Sequence, residues 1–590
     1  SFFDHQKAFY DFWKGKQIDH NGYYTENGQR IKAAGWKQFK RWEWEMERKI
    51  DHKTGYLPNK TALEIYKEYQ RSRPSNGNRA TTANWTSIGP TSSTGGYAGV
   101  GRLNCVAFHP SDPNTYWVGA PAGGLWRTTN GGTTWTVLTD QNPVLGISDI
   151  LIPTNFASTN TIYIATGDKN ALDNNSVGVL KSTDGGNTWN TTGLSFNIGD
   201  GRRVTKLLQD PNDPNTILAS TSIGVYKTTN AAGTWNQITT LAFADLEYKP
   251  GDFNTLYGGT LSGGAIHMSS NGGTTWAQVF VNSSGRRVEL SVTSANPSLV
   301  YAIIGRSSDH GLLGIYTSTN SGASFNTTYT GPINMLGWQQ NGSDSGGQAW
   351  YDLSIAASPT NANTLLVGGV NTWRSTNGGS NWSIVNHWTG GDGSIPAVHA
   401  DKHMLRYRQS DGLLFECNDG GVYTSSDNGT AWTDKTNGMV ISQMYKLGNS
   451  VTVPGVVVTG LQDNGTKQRT NTGTWRDVLG GDGMECAIDY SDNNIQYGCI
   501  QSGELRRTIN NWASATNIKP SGQSGAWVTP YVIHPTNPEI LFSGYSNVYR
   551  SVNRGTSWTV ISTINSSDRL RNLVVAQTND QVIYTSDQFN

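Results

Sequence analysis

The chain has 590 residues, and its 44 Lys and Arg balance 44 Asp and Glu to a formal net charge of zero. That balance gives no electrostatic ground for nucleic acid or an anionic membrane as a partner, and no apolar stretch approaches the ~18 residues of a membrane span. Charged residues are only 15%, yet Gly numbers 69 and Trp 21, a mixture that excludes a disordered chain and points to many short strands joined by tight turns.

Residues 1–83 are a different material, with 16 Lys and Arg against 10 Asp and Glu. Phe2, Phe9, Phe12 and Trp13 recur at helical spacing, as do Phe39, Trp42, Met46 and Ile50, and "NKTALEIYKEYQR" predicts a third helix after Pro58. The aromatic stripes predict that this arm is clamped onto the neighbouring domain. The Glu residues interleaved in "KRWEWEMERK" predict a solvated helix face. Residues 71–84 read as a linker. Residue 1 is Ser with no hydrophobic leader before it, which fits a mature chain whose signal peptide has been removed.

From about residue 84 the chain repeats itself at intervals of 40 to 57 residues, the range of four-stranded propeller blades. Each unit opens with an apolar strand, a Pro/Asn/Asp turn and a second strand, as in "CVAFHPSDPNTYWVGA" and "YVIHPTNPEILFSGY". A third strand such as "GGLWRTT" or "IGVYKTT" follows. The unit then closes on a hydroxyl residue, Asn or Asp, Gly, and an aromatic residue that heads the fourth strand, as in Thr128 to Trp135, Ser182 to Trp189 and Ser425 to Trp432. Weaker copies end at Trp475 and Trp512. Asn or Asp and Gly suit the positive-φ positions of a hairpin turn, and their side chains can bind exposed backbone groups. Asn130, Asp184, Asn271, Asn377, Asp427 and Asn553 are therefore expected to be structural. Ten complete units are predicted, with an eleventh broken off after its second strand in "RLRNLVVAQTNDQVIYTSDQFN". The segment "NWTSIGP" at 84–90 reads as the fourth strand of a last blade, which would close a ring.

Four cysteines exclude a disulfide scaffold. Cys486 and Cys499 flank "AIDYSDNNIQYG" symmetrically, so a hairpin there would set them opposite each other, either bridged or as two buried thiols. The densest polar constellation lies at 350–482: Trp350, Tyr351, Asp352, His387, Asp392, His399, Asp401, His403, Asn418, Asp419, Gln462, Asp463, Asn464 and Asp482. These segments start or end inner strands of successive units, so they are expected to converge on one channel mouth, the default binding site. In "VHADKHMLRY" a period of two would put His399, Asp401 and His403 on one strand face. Such a face could hold a divalent metal or be a hydrogen-bonded cluster that fixes one blade to the next.

The closing motif resembles the Asp-box, the bacterial neuraminidase repeat, which in its families is a structural turn on the rim of a β-propeller. The resemblance implies a mainly β fold of Asp-box blades, read as two tandem propellers with the second incomplete, at 84–395 and 396–590 behind the arm at 1–83. The alternative is one ten-bladed ring like that of sortilin. A sialidase would need an arginine cluster and a Tyr nucleophile, and the early Arg-Ile-Pro signature is missing. Xyloglucanase-type glycosidases carry catalytic Asp residues in Asp-Ile-Gly-Gly-like sequences of two propellers. Here the first such place reads Gly119-Ala-Pro-Ala-Gly-Gly-Leu-Trp126, without a carboxylate, and the later one, Asn418-Asp419-Gly-Gly-Val-Tyr423, keeps it. "GGQAWYDLSIAAS", "VHADKHML", "NDGGVYTSSDNG", "GLQDNGT" and "LGGDGM" also resemble large secreted Bacteroidota propeller proteins related to the sortilin ectodomain. That likeness implies a secreted or cell-surface chain, cargo of type IX secretion. It is expected to bind an extracellular glycan or peptide through Trp350, Tyr351, Asp352, Gln462, Asp463, Asn464 and Asp482. The alternatives are a polysaccharide hydrolase with Asp419 as acid, and a partner of the secretion machinery or of outer-membrane proteins.

Overall fold

The computed structural model of the protein describes residues 1–72, 85–567 and 569–587. Of the expected linker, 73–84 lie outside the described residues, as do the last three residues of the eleventh unit. Three helices open the chain: α1 (Phe2–Phe12), α2 (Trp36–Glu47) and α3 (Ala62–Ser72). The Ser1 hydroxyl and the Asp4 carboxylate cap α1 reciprocally, which satisfies two otherwise unpaired amides. The aromatic stripes do not clamp the arm to its neighbour as expected. They stack on each other, Phe9 on Phe39 at 3.7 Å and Phe2 on Trp42 at 5.4 Å between ring centroids. With Met46, Ile50 and Leu57 they give the arm a small core of its own.

After the arm the described residues form ten four-stranded antiparallel sheets, each built from consecutive strands, and a final two-stranded one. We number them sheet 1 (105–137), 2 (147–195), 3 (204–239), 4 (243–281), 5 (285–329), 6 (354–386), 7 (404–434), 8 (444–479), 9 (483–517), 10 (531–560) and 11 (572–586). The first strands of sheets 1 to 7 pack side by side in succession, and Met404–Tyr407 of sheet 7 packs back on Cys105–Phe108 of sheet 1. Trp135 Nε1 bonds the Lys435 carbonyl across that seam at 2.9 Å. The apolar core at the seam joins Val106, Val118 and Ile147 to Phe415 and Met439. Sheet 8 packs on sheet 9, sheet 9 on sheet 10, and sheet 10 on sheet 11.

The repeated turn explains the low charge of the sheets. Ser375 Oγ donates to Asn377 Oδ1 and accepts from the Gly379 amide at 2.9 Å, while Asn377 Oδ1 accepts from the Asn381 amide at 2.9 Å. Asn130, Asp184, Asn271, Asp427 and Asn553 make the same pattern. The turn thus binds its own exposed amides and needs an oxygen acceptor, charged or not. The weak copy at Trp512 is in a different register. Its hydroxyl is Thr508 and its amide is Asn510, so Trp512 stands where the others have Gly, at φ +66°.

Two further expectations change. Residues 85–94 form no strand; they lie along sheet 8, where Trp475 Nε1 donates to the Ile88 carbonyl and Thr94 donates to Asp477. Cys486 pairs with Gly498 rather than with Cys499, because Ile488 pairs with Gln496 and centres the hairpin on residue 492. A one-residue shift sends neighbouring side chains to opposite faces, and both thiols are free and buried.

Candidate functional site

A hairpin joining the second and third strands of a sheet lies at the same edge as the segment that enters its first strand. This places Asp168 (after the second strand of sheet 2), Tyr351 (entering sheet 6), His403 (entering sheet 7) and Asp419 (leaving the second strand of sheet 7) on one edge of sheets 1 to 7. Arg102, entering sheet 1, reaches the same point. Asp419 is 1% exposed and accepts from His403 Nε2 and from the Tyr351 hydroxyl, both at 2.7 Å. Arg102 Nε stands 3.5 Å from it, and the rest of that guanidinium grips Asp168 at 2.9 and 3.0 Å. Asn170 donates to His403 Nδ1 at 2.9 Å, which sets the tautomer that gives its proton to Asp419. Burial favours a protonated Asp419, but His403, Arg102 and Tyr351 outweigh it and hold the carboxyl well below the usual range. Burial first, then Arg102, brings His403 down to about 4.

A second cluster rings this hub. Gln348 donates to Asp401 at 2.7 Å and to Asp352 at 3.3 Å, and itself accepts from Gln38 of α2 at 2.9 Å. Burial, then the charge of Asp419, pushes Asp401 up to about 7; burial, then Asp401, raises Asp352. On sheets 8 and 9, Asp463 and Asp482 occupy corresponding edges, and a single nitrogen of Arg41 in α2 binds both, Asp482 at 2.7 Å. Lys37 lies 3.4 Å from Asp482. Burial would raise Asp482, but Arg41 and then Lys37 lower it. Asp463 is raised, by burial and then by Asp482 and Asp419, against the pull of Arg41. Asn464 donates to the Asp419 carbonyl at 3.0 Å and ties the two edges together.

The site residues expected from the sequence therefore converge, but in roles of their own. Tyr351 is a donor to Asp419, Gln462 accepts from Tyr445 at 3.1 Å, and Trp350 is half-buried beside Tyr351. The metal set does not form. Residues 399–403 precede the strand rather than belong to it, Asp401 takes φ +66°, and the alternation that would align three ligands is broken. His403 is engaged by Asp419 and Asn170, and His399 Nε2 by the Asp463 carbonyl at 3.1 Å. Among the described residues no group of three or more His, Cys, Asp or Glu could hold a metal ion. Nor does α2 present the solvated face expected of it: Arg41 and Glu43 are buried. Arg102, Asp168, Asn170, Gln348 and Arg41 were not anticipated. The one hint was Arg102, a lone charge in the uncharged run at 96–108.

Between sheets 7 and 8 runs a cleft of about 270 Å³, lined by Tyr97, Trp388, His399, Asp463 and Asp482, with Lys37 closing one side. Trp388, 38% exposed, also lines an open groove with Trp338, Gln340 and Asp392. Aromatic faces beside carboxylates suit a sugar, whose rings stack on indole and whose hydroxyls take hydrogen bonds. No helix among the described residues is long and apolar enough to cross a membrane.

No family model matches the chain. Over 438 residues, 70% of this chain and 30% of the other, it is 26% identical to a xyloglucanase of a Paenibacillus species. Over 337 residues, 49% of this chain and 39% of the other, it is 25% identical to the xyloglucanase Xgh74A of Acetivibrio thermocellus. The chain thus spans about a third of the length of the curated relatives it matches. Among solved structures it is similar to an ancestral GH74 enzyme, with a TM-score of 0.60, 15% identity, and coverage of 85% of this chain and 75% of the other. It is also similar to the GH74 xyloglucanase of Xanthomonas campestris, with a TM-score of 0.50, 15% identity, and coverage of 78% and 80%. These likenesses, with the sheet order above, show that the chain is a β-propeller protein.

Proposed function

We propose that the chain acts on an extracellular polysaccharide of the xyloglucan class as a glycoside hydrolase, in the cleft between sheets 7 and 8. The packing of sheet 7 back on sheet 1 supports reading sheets 1 to 7 as one propeller and sheets 8 to 11 as part of a second, with the boundary after 434 in this reading. The observation that carries the reading is the pair Asp463 and Asp482. One Arg41 nitrogen bridges both, which puts them within roughly the 5 Å of a retaining glycosidase pair, and their surroundings push their proton affinities apart, as an acid and its partner require. Asp463 would give its proton to the glycosidic oxygen as the bond to the anomeric carbon breaks, ionised Asp482 would bond to that carbon, and a water deprotonated by Asp463 would then displace Asp482 and complete the hydrolysis. Asp419, the acid expected from the sequence, is sealed from the cleft and held ionised, so it serves as the buried charge that positions His403, Tyr351 and Arg102. The likeness to xyloglucanases supports the substrate class, and placement outside the cell, with type IX export, rests on the sequence resemblance.

The test is release of reducing ends from xyloglucan by the full chain. Asp463→Asn and Asp482→Asn are each expected to lower the rate about 10²- to 10⁴-fold. Pro121 stands where the Asp-Ile-Gly-Gly pattern carries its carboxylate, and this favours a second reading, a glycan-binding propeller without hydrolysis. Saturable xyloglucan binding with no new reducing ends from any variant would establish that reading instead.

A further inference from the structure

We infer that the helical arm is a displaceable plug of this cleft, with α2 seated where the polysaccharide binds; for its ligand this rests on the reading above. Arg41 fills the space between Asp463 and Asp482, Lys37 closes the cleft beside Asp482, and Gln38 occupies the Gln348 amide that also holds Asp352 and Asp401. The three contacts fall at positions 37, 38 and 41, on one face of the helix, and all go to groups a sugar hydroxyl could bind in their stead.

The arm is built to leave this seat intact. Phe2, Phe9, Phe39 and Trp42 satisfy one another within the arm, and Trp44 is the aromatic residue of α2 that packs on the sheets, edge-on to Tyr445 at 6.0 Å. Its attachment at the cleft is mostly polar: Arg41, Lys37 and Gln38, with Lys49 on the Asp173 carbonyl at 2.8 Å and Glu47 on Arg571. Interfaces of this polar kind between parts of one chain are those that move. Lifting α2 takes Arg41 and Lys37 away from the carboxylates but leaves the Asp463 amide on Asp482 Oδ1 at 2.8 Å and Gln501 on the Asp482 amide at 3.0 Å, so the pair keeps its place on the two sheets.

The experiment uses the full chain, wild type and Lys37→Ala/Arg41→Ala, with Lys7→Ala as a control on the exposed side of α1. Binding and cleavage of xyloglucan oligosaccharides are measured together with hydrogen exchange at amides 36–47. The double variant is expected to bind at least tenfold more tightly, and oligosaccharide is expected to speed exchange at 36–47 in the wild type. A folded double variant that binds or cleaves no better than wild type overturns the plug. Should Arg41→Ala not fold, Lys37→Ala/Gln38→Ala makes the same comparison. If no form binds or cleaves xyloglucan, the polysaccharide reading fails, and exchange alone decides the plug. Exchange at 36–47 well ahead of the strands of sheet 1 shows that the arm lifts, and exchange only together with them shows a fixed strut and overturns it.

Discussion

Asp419 collects two hydrogen-bond donors and the Arg102 charge in a buried site, and the stability of the hub depends on that arrangement staying complete. Arg102 neutralises Asp168 and Asp419 together, so Arg102→Met strands two buried carboxylates. Loss of one partner from such a group costs about 3–5 kcal/mol, to be read as a fall in the midpoint of urea unfolding. Tyr351→Phe removes one hydrogen bond to a charged acceptor and is expected to cost about 1.5–3 kcal/mol. His403 makes the same site sensitive to acid. Its folded pKa of about 4 lies below the 6.5 of a free imidazole, so between these values the unfolded chain binds the extra proton. Stability from this group therefore falls as pH drops from 6.5 to 4, by up to about 1.4 kcal/mol per unit. Asp401, whose folded pKa is raised to about 7, acts in the opposite sense over nearly the same window. The difference between the wild-type and His403→Gln profiles isolates the histidine; parallel profiles would refute the assignment. None of these partnerships was visible in the chain. Arg102, Asp168 and Tyr351 come from three sheets, and only the closing of sheets on one another brings them to one carboxylate.

At the scale of the element, the repeated turn and the close approach of loops carry the argument. Local chemistry made the turn legible, because hydroxyl, Asn or Asp, and Gly at fixed offsets bind their own backbone, and the strand pattern on either side matches the ten four-stranded sheets and the two-stranded eleventh. Where the signal was only spacing, it misled. Cys486 and Cys499 are equidistant from a turn whose true centre lies half a residue away, and His399 to His403 alternate in a segment that is not a strand. Arg41 and Glu43 sit in a run of mixed charges that reads as solvated, and nothing local announces that distant sheets bury them. Gly99 is a close element junction. A Cβ there would lie 2.1 Å from the Gly420 Cα and 2.4 Å from Asn464 Oδ1, so backbone must move. Gly99→Ala is expected to cost about 1–3 kcal/mol by overpacking and to weaken polysaccharide binding, since Asn464 lines the cleft. Calorimetry with a binding titration checks both, and an unchanged melting temperature would show that the junction gives way freely.

On the scale of the whole molecule, the charges left over from the sheets are gathered where parts of the chain meet. Arg41, Lys37, Lys49 and Glu43 of the arm face Asp463, Asp482, Asp173 and Arg571, so a neutral total conceals a basic arm on an acidic seat. The partition of sheets into propellers was not legible, since each unit looks alike and only the seam between sheets 7 and 1 distinguishes a seventh sheet from any other. That seam has a consequence for how such a chain can change. Every sheet is one uninterrupted stretch, and the ring is shut by packing, by the Trp135 bond to Lys435 and by the Val100 and Leu103 amides on the Gly420 and Asn418 carbonyls, with no strand shared between its ends. A whole sheet can thus be gained, lost or moved to the other end of the ring as a single cassette without rethreading the others. The circumference of the propeller, and with it the width of its mouth, is open to inheritance by duplication.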